Sequence, residues 1–123
     1  MLDHVTVGVD NLERAKAFYD TALRPLGIER LAGDDESAGY GIGPRAFFWI
    51  GLRRRGGRSG VHVAFAARDR AAVDQFHAAA LRAGGVDNGA PGLRPRYHPD
   101  YYGAFVLDPD GHNIEAVCRT SAG

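Results

Sequence analysis

The sequence predicts an α+β domain of two β-α-β-β-β modules that form a cup-shaped mixed sheet with the helices outside. Three observations carry this expectation. The chain opens on a strand of strict alternation, an amphipathic helix follows it, and the same order of elements returns about sixty residues later. With 123 residues it has the length of one domain, enough to bury roughly two thirds of its unfolded surface without disulfides.

Residues 2–9 alternate His4, Thr6 and Gly8 against Val5, Val7 and Val9, the pattern of a half-buried strand. Asp10 with Glu13 reads as a capping pair that opens a helix. Leu12, Ala15, Phe18, Tyr19, Ala22 and Leu23 recur at helical spacing, and Pro25 and Gly27 end the run. Strands are expected at residues 27–32, 37–42 and 46–52, separated by polar or glycine-rich turns at 33–36 and 43–45.

The second half repeats the order. Residues 61–67 alternate His62, Ala64 and Ala66 against Val61, Val63 and Phe65. Asp69 is the expected N-cap of a helix whose stripe is Val73, Phe76, Ala80 and Leu81, closed by Gly84 and Gly85. A weak strand near Val86 leads into a long loop over 88–99. Two strands, 101–107 and 112–118, are joined at Asp108-Pro109-Asp110-Gly111, with Pro and Gly where a type I turn wants them. The modules therefore span about 1–52 and 61–118, and the Arg/Gly-rich stretch 53–60 reads as their linker.

His4 and His62 occupy matching places in the two halves, and Glu115 lies on a strand that should neighbour one of them. Two imidazoles and a carboxylate form a donor set for Mn, Fe, Ni or Zn that leaves coordination positions open for a substrate. A strand histidine alone is more often structural; it is the repetition that points to a metal. Residues 94–102 are dense in charges and polar aromatics. Their simplest role is a solvated loop stiffened by prolines, but such loops also carry specificity. His98, Tyr97 and Tyr102 are the candidates there for proton transfer, and Arg96 and Tyr101 for substrate contact. Trp49 and Phe47 could wall the cup and stack on a planar substrate. His77 and His112 are expected to be structural or exposed, and Cys118 a small strand hydrophobe.

Zero formal net charge gives no global field toward nucleic acid or anionic membrane. The arginine run at 53–58 is too short and too lacking in aromatics to reverse that. No apolar run approaches the roughly 18 residues of a membrane span, and the N-terminus lacks the basic region of a signal peptide. One cysteine fits a reducing, cytoplasmic location. One lysine beside fourteen arginines suggests a GC-rich, bacterial genome.

The stretches DHVTVGVDNLERAKAFY (3–19), GVHVAFAA (60–67) and AFVLDPDGHNIEAV (104–117) resemble the vicinal oxygen chelate superfamily, which includes glyoxalase I, extradiol dioxygenases and fosfomycin- and bleomycin-resistance proteins. The last stretch is the most specific. In metal-binding members, ligands come from the first and last strand of each module. The resemblance thus implies His4, His62 and Glu115 as metal ligands, with the fourth position at or beside Trp49. Glyoxalase I usually has a ligand there, which an indole is not.

Together these readings imply a metal-dependent lyase, isomerase or dioxygenase. It would act on a small substrate that chelates through adjacent oxygens, with the metal as Lewis acid. Family habit and unpaired edge strands imply a homodimer. The alternative is a metal-free protein that sequesters an antibiotic or aromatic ligand against Trp49, Phe47, Tyr101 and Tyr102.

Overall fold

A computed structural model describes residues 2–53 and 60–121. The first module runs β1 (Val5–Val9), α1 (Leu12–Ala22), a turn of 3-10 helix at Arg24–Leu26, β2 (Glu29–Gly33), β3 (Ser37–Ile42) and β4 (Arg45–Leu52). The second runs β5 (His62–Ala66), α2 (Arg70–Arg82), β6 (Val86–Leu93), β7 (Tyr102–Leu107) and β8 (Asn113–Cys118). Most of the expected linker, including all of the arginine run 53–58 except Arg53, lies outside the described residues. No helix among the described residues is long and apolar enough to cross a membrane.

Each module folds into a four-stranded sheet of the same topology, β1-β4-β3-β2 and β5-β8-β7-β6. In each, the first strand pairs parallel with the last and the remaining pairs are antiparallel. The repeated order of elements is therefore repeated geometry. The two sheets stay separate, so the expected cup is not closed within one chain.

Alternation decides which face of each sheet is covered. Val7, Val9, Tyr40, Phe48 and Ile50 of the first sheet are buried, as are Phe65, Ala104, Val106, Ile114 and Ala116 of the second. These faces share one core with Phe18 and Tyr19 of α1 and Val73 and Phe76 of α2, and the two helices touch each other. Phe48 stands at its centre, 5.0 Å from the Tyr19 ring and 5.1 Å from Phe65 of the other module. Burial of each such ring stabilises by about 1.5–3 kcal/mol.

Three local expectations change. The N-cap of α1 is Asn11, whose side chain accepts the Arg14 N–H at 3.0 Å; Asp10 instead sends its backbone N–H to Asp110 at 2.8 Å. For α2 the expected Asp69 cap holds, accepting the Ala72 N–H at 2.8 Å. The expected loop at 88–99 is half strand, since β6 continues to Leu93 with its register breaking around Gly89. Pro91 is tolerated because β6 is the edge strand of its sheet and irregular there.

The Asp-Pro-Asp-Gly-His turn is the joint between modules. Asp108 Oδ1 accepts the N–H of Asp110 at 2.8 Å and of His112 at 2.9 Å, which shapes the turn. Its other oxygen accepts the Tyr19 hydroxyl from α1. Asp110 Oδ1 takes the Asp10 N–H and lies 3.4 Å from the Arg14 guanidinium. His112 is 1% exposed; its Nδ1 accepts the Val61 N–H at 3.1 Å, so the proton sits on Nε2 and is donated to the Gly8 carbonyl at 2.7 Å.

Candidate functional site

Glu115 points away from the core. On β8 it alternates with the buried Ile114 and Ala116, and it lies across from Ala64 of β5 and Phe105 of β7. It is only 1% exposed, yet its carboxylate is well supplied. Oε1 is 2.9 Å from His62 Nε2, and Oε2 accepts the Tyr101 hydroxyl. Burial, followed by the Glu115 carboxylate, pushes the Tyr101 hydroxyl up to about 12; at neutral pH it stays a donor. A Cβ at Gly103 would stand 3.2 Å from the Tyr101 ring and 3.3 Å from Glu115 Oε2, so the glycine keeps that hydrogen bond unobstructed.

The tautomer of His62 follows from its partners. Nδ1 is 3.1 Å from the Asn113 carbonyl, which can only accept, so Nδ1 carries a proton. Nε2 of neutral His62 then turns a lone pair toward a carboxylate oxygen 2.9 Å away. Two acceptors at that distance require a cation shared between them: a proton on Nε2, or a metal ion. The spacing suits a metal, since cis donors with bonds of about 2.1 Å stand about 3.0 Å apart. A backbone carbonyl that holds the far nitrogen is also the usual support of a ligating histidine.

A cavity of about 370 Å³ opens over this pair, lined by His62, Tyr97, Tyr101, Phe105, Glu115 and Arg119. The His62 ring stacks on Phe105 at 6.1 Å and 26°, and Tyr97 meets Tyr101 edge-on at 5.1 Å. Sequence reasoning missed Phe105 and Arg119. Both were accessible by strand parity, because Phe105 faces Glu115 across the ladder and Arg119 follows Glu115 at an even spacing.

His4 is elsewhere. It lies just before β1 and lines a different cavity of about 400 Å³ with Val5, Phe47 and residues of β5. Among the described residues, no three His, Cys, Asp or Glu side chains come together to hold a metal. The expected triad is thus split within one chain, with His62 and Glu115 paired and His4 apart. His4 is nonetheless held like His62, its Nδ1 2.9 Å from Asp3 Oδ1. That hydrogen bond first, and Arg45 second, keep the Asp3 carboxyl below its usual range. As a donor through Nδ1, His4 too keeps Nε2 available.

The chain matches the model of the Glyoxalase/Bleomycin resistance protein/Dioxygenase superfamily over residues 1–116. It belongs to that superfamily. A solved glyoxalase/bleomycin resistance protein from Albidiferax ferrireducens T118 is 36% identical, covering 98% of this chain and 99% of its own, with a TM-score of 0.82. Two more distant structures share the fold. A glyoxalase-related enzyme from Fulvimarina pelagi has 20% identity and a TM-score of 0.75 over 96% of this chain and 87% of its own. A lactoylglutathione lyase from Agrobacterium tumefaciens has 18% identity and a TM-score of 0.70 over 96% and 92%. Comparison with curated proteins finds no match.

Trp49 stands on β4 at the register position that Glu115 holds on β8. It lies across the parallel pair from Thr6 as Glu115 lies across from Ala64, and its indole covers Gly39, where a Cβ would come within 2.7 Å. Phe47 borders the His4 cavity. Of the residues expected in the mouth, Tyr97 and Tyr101 line the Glu115 cavity, and Arg96 stacks over Tyr97 at 5.0 Å. His98 does not line it; its Nδ1 accepts the Asp100 N–H at 3.0 Å and shapes the turn. Tyr102 points the opposite way. Neighbours in a strand face opposite sides, so Tyr102 donates to Asp74 of α2 at 2.6 Å and cannot serve this cavity from there.

Proposed function

We propose that this superfamily member is a metal-dependent enzyme, a lyase, isomerase or dioxygenase, acting on a small substrate that chelates through adjacent oxygens. The observation that carries the reading is the His62 Nε2–Glu115 Oε1 spacing of 2.9 Å, with the far nitrogen of His62 already committed to a carbonyl. The third ligand is His4 of a second copy of the chain. Within one chain, the Gly8 end of β1 is bonded to His112 beside Val61, whereas His4 shares its cavity with Val63–Ala66. The two histidines are therefore at opposite ends of facing strands, and a two-fold partner can bring one to the other.

When bound, the metal would serve as a Lewis acid for a carbonyl, enediolate or catecholate. Mn, Fe, Ni and Zn all accept these donors. The chain's own groups fix the site's geometry. Tyr101 restrains one oxygen of Glu115 and leaves the other facing His62, Asn113 sets the His62 tautomer, and Phe105 sets its ring plane. A second reading is supported by the same 2.9 Å pair with the proton on Nε2, which makes an ion pair and a metal-free binding cup. Calorimetric titration of metal-free protein separates them. Uptake of Mn, Fe, Ni or Zn that is lost in Glu115→Gln supports the enzyme, and no uptake by the wild type leaves the binding protein.

A further inference from the structure

Three aromatic rings line the cavity beside Glu115, and each carries an arginine. Arg94 lies over Phe105 at 5.5 Å, Arg96 over Tyr97 at 5.0 Å and Arg119 over Tyr101 at 4.9 Å. Two of these cations have acceptors as well, Arg94 the Ala90 carbonyl at 2.8 Å and Arg96 the Tyr97 hydroxyl at 3.3 Å. Arg119 forms no hydrogen bond or ion pair with any described residue, and it alone of the three is part of the cavity wall. The one carboxylate lining the cavity, Glu115, is occupied by His62 and Tyr101. The cavity thus offers ring faces and a guanidinium whose N–H groups have no acceptor among the described residues.

We propose that the substrate carries a carboxylate on a flat conjugated body, and that Arg119 receives it. The proposal rests on the function above for placing the chelating end at His62 and Glu115. A guanidinium held over a ring face spends none of its N–H groups on that contact, and those groups fit a carboxylate with two parallel hydrogen bonds. Ring walls select a flat body over a bulky one. Arg119 covers the Tyr101 ring while the hydroxyl of that ring reaches Glu115, so anion and chelate sites stand on the order of 7 Å apart, about one benzene ring with its substituents. Arg119 also lies past residue 116, where the match to the superfamily model ends.

Calorimetry with acid and amide pairs tests the assignment. Metal-free protein is titrated with 4-hydroxybenzoate and 4-hydroxybenzamide, and manganese-loaded protein with 3,4-dihydroxybenzoate and its amide. In the wild type the acid should bind about tenfold more tightly than the amide in both pairs, as one charge-assisted contact implies. Arg119→Gln should bring the ratio to about one, while Arg119→Lys, which keeps the charge without the fork, retains part of it. Equal binding of acid and amide by the wild type would overturn the proposal. So would an undiminished ratio in Arg119→Gln, no measurable binding of either acid at millimolar concentration, or tighter binding of the matching phosphonate. Should manganese, iron, nickel and zinc all fail to bind, the metal-dependent function falls by itself, and the metal-free pair still decides the role of Arg119.

Discussion

Trp49 stands in the first sheet where Glu115 stands in the second. Each lies on the last strand of its module, directly across the parallel pair from the first strand, Trp49 from Thr6 and Glu115 from Ala64. One module presents an anionic donor at this position and the other an indole, which offers no lone pair to a hard cation. Trp49→Glu should therefore raise metal affinity by roughly tenfold or more, since it adds a negative donor at the equivalent point. Competition with a chelator of known affinity measures this. Unchanged affinity would mean that Trp49 does not face the metal when the site is assembled.

If His4 comes from a second copy, the site is shared and two defective chains can complement each other. His4→Ala and His62→Ala should each bind metal poorly as homodimers. Unfolding and refolding them together should produce mixed dimers in which one of the two sites is intact, restoring about a quarter of wild-type metal content for random pairing. Metal analysis after gel filtration gives the answer. No recovery in a preparation shown to contain mixed dimers would place the ligands within one chain.

The duplication was legible because alternation and helical spacing are local, and both modules show them. Parity was legible too, since it put His62 and Glu115 on one face of adjacent strands, where the structure finds them 2.9 Å apart. Parity also separates Tyr101 from Tyr102, although composition alone places both at the site. What local patterns do not encode is how one module meets the other. The arrangement that parts His4 from His62 includes part-buried long-range bonds such as His112 to Gly8, 104 residues apart in sequence. Pattern reading also cannot see a strand whose residues look like a loop; Asn88 to Gly92 fall within β6 because β7 lies beside them.

His112 should contribute more to stability than to function. It satisfies two backbone groups, the Val61 N–H and the Gly8 carbonyl, at the seam between modules. His112→Ala leaves both without their partner and opens a cavity, a loss of about 3 kcal/mol. Urea denaturation should show the lower midpoint. Metal affinity of the folded fraction should change little, because His112 does not line the Glu115 cavity. A large fall in affinity at unchanged stability would assign His112 to the site instead.

Tyr19 ties α1 to the Asp108 turn and gives the fold an alkaline limit. Burial first, and then the nearby Asp108 carboxylate, push its hydroxyl well above the ordinary value of 10.0. The sign follows from proton uptake. Above pH 10 a tyrosine in the unfolded chain loses its proton while buried Tyr19 keeps it, so the unfolded state binds fewer protons and stability falls as pH rises. The contribution is whole below about pH 10 and diminishes above it. Tyr19→Phe should be less stable than wild type at neutral pH by about 1–3 kcal/mol, since Asp108 loses a buried donor. Its stability should also fall less steeply between pH 10 and 11.5, because one raised phenol is gone; Tyr40, which is also raised, remains in both proteins. Urea midpoints of the two proteins at matched pH measure the difference, and parallel decline in both would show that Tyr19 ionises no later in the folded state than in the unfolded chain.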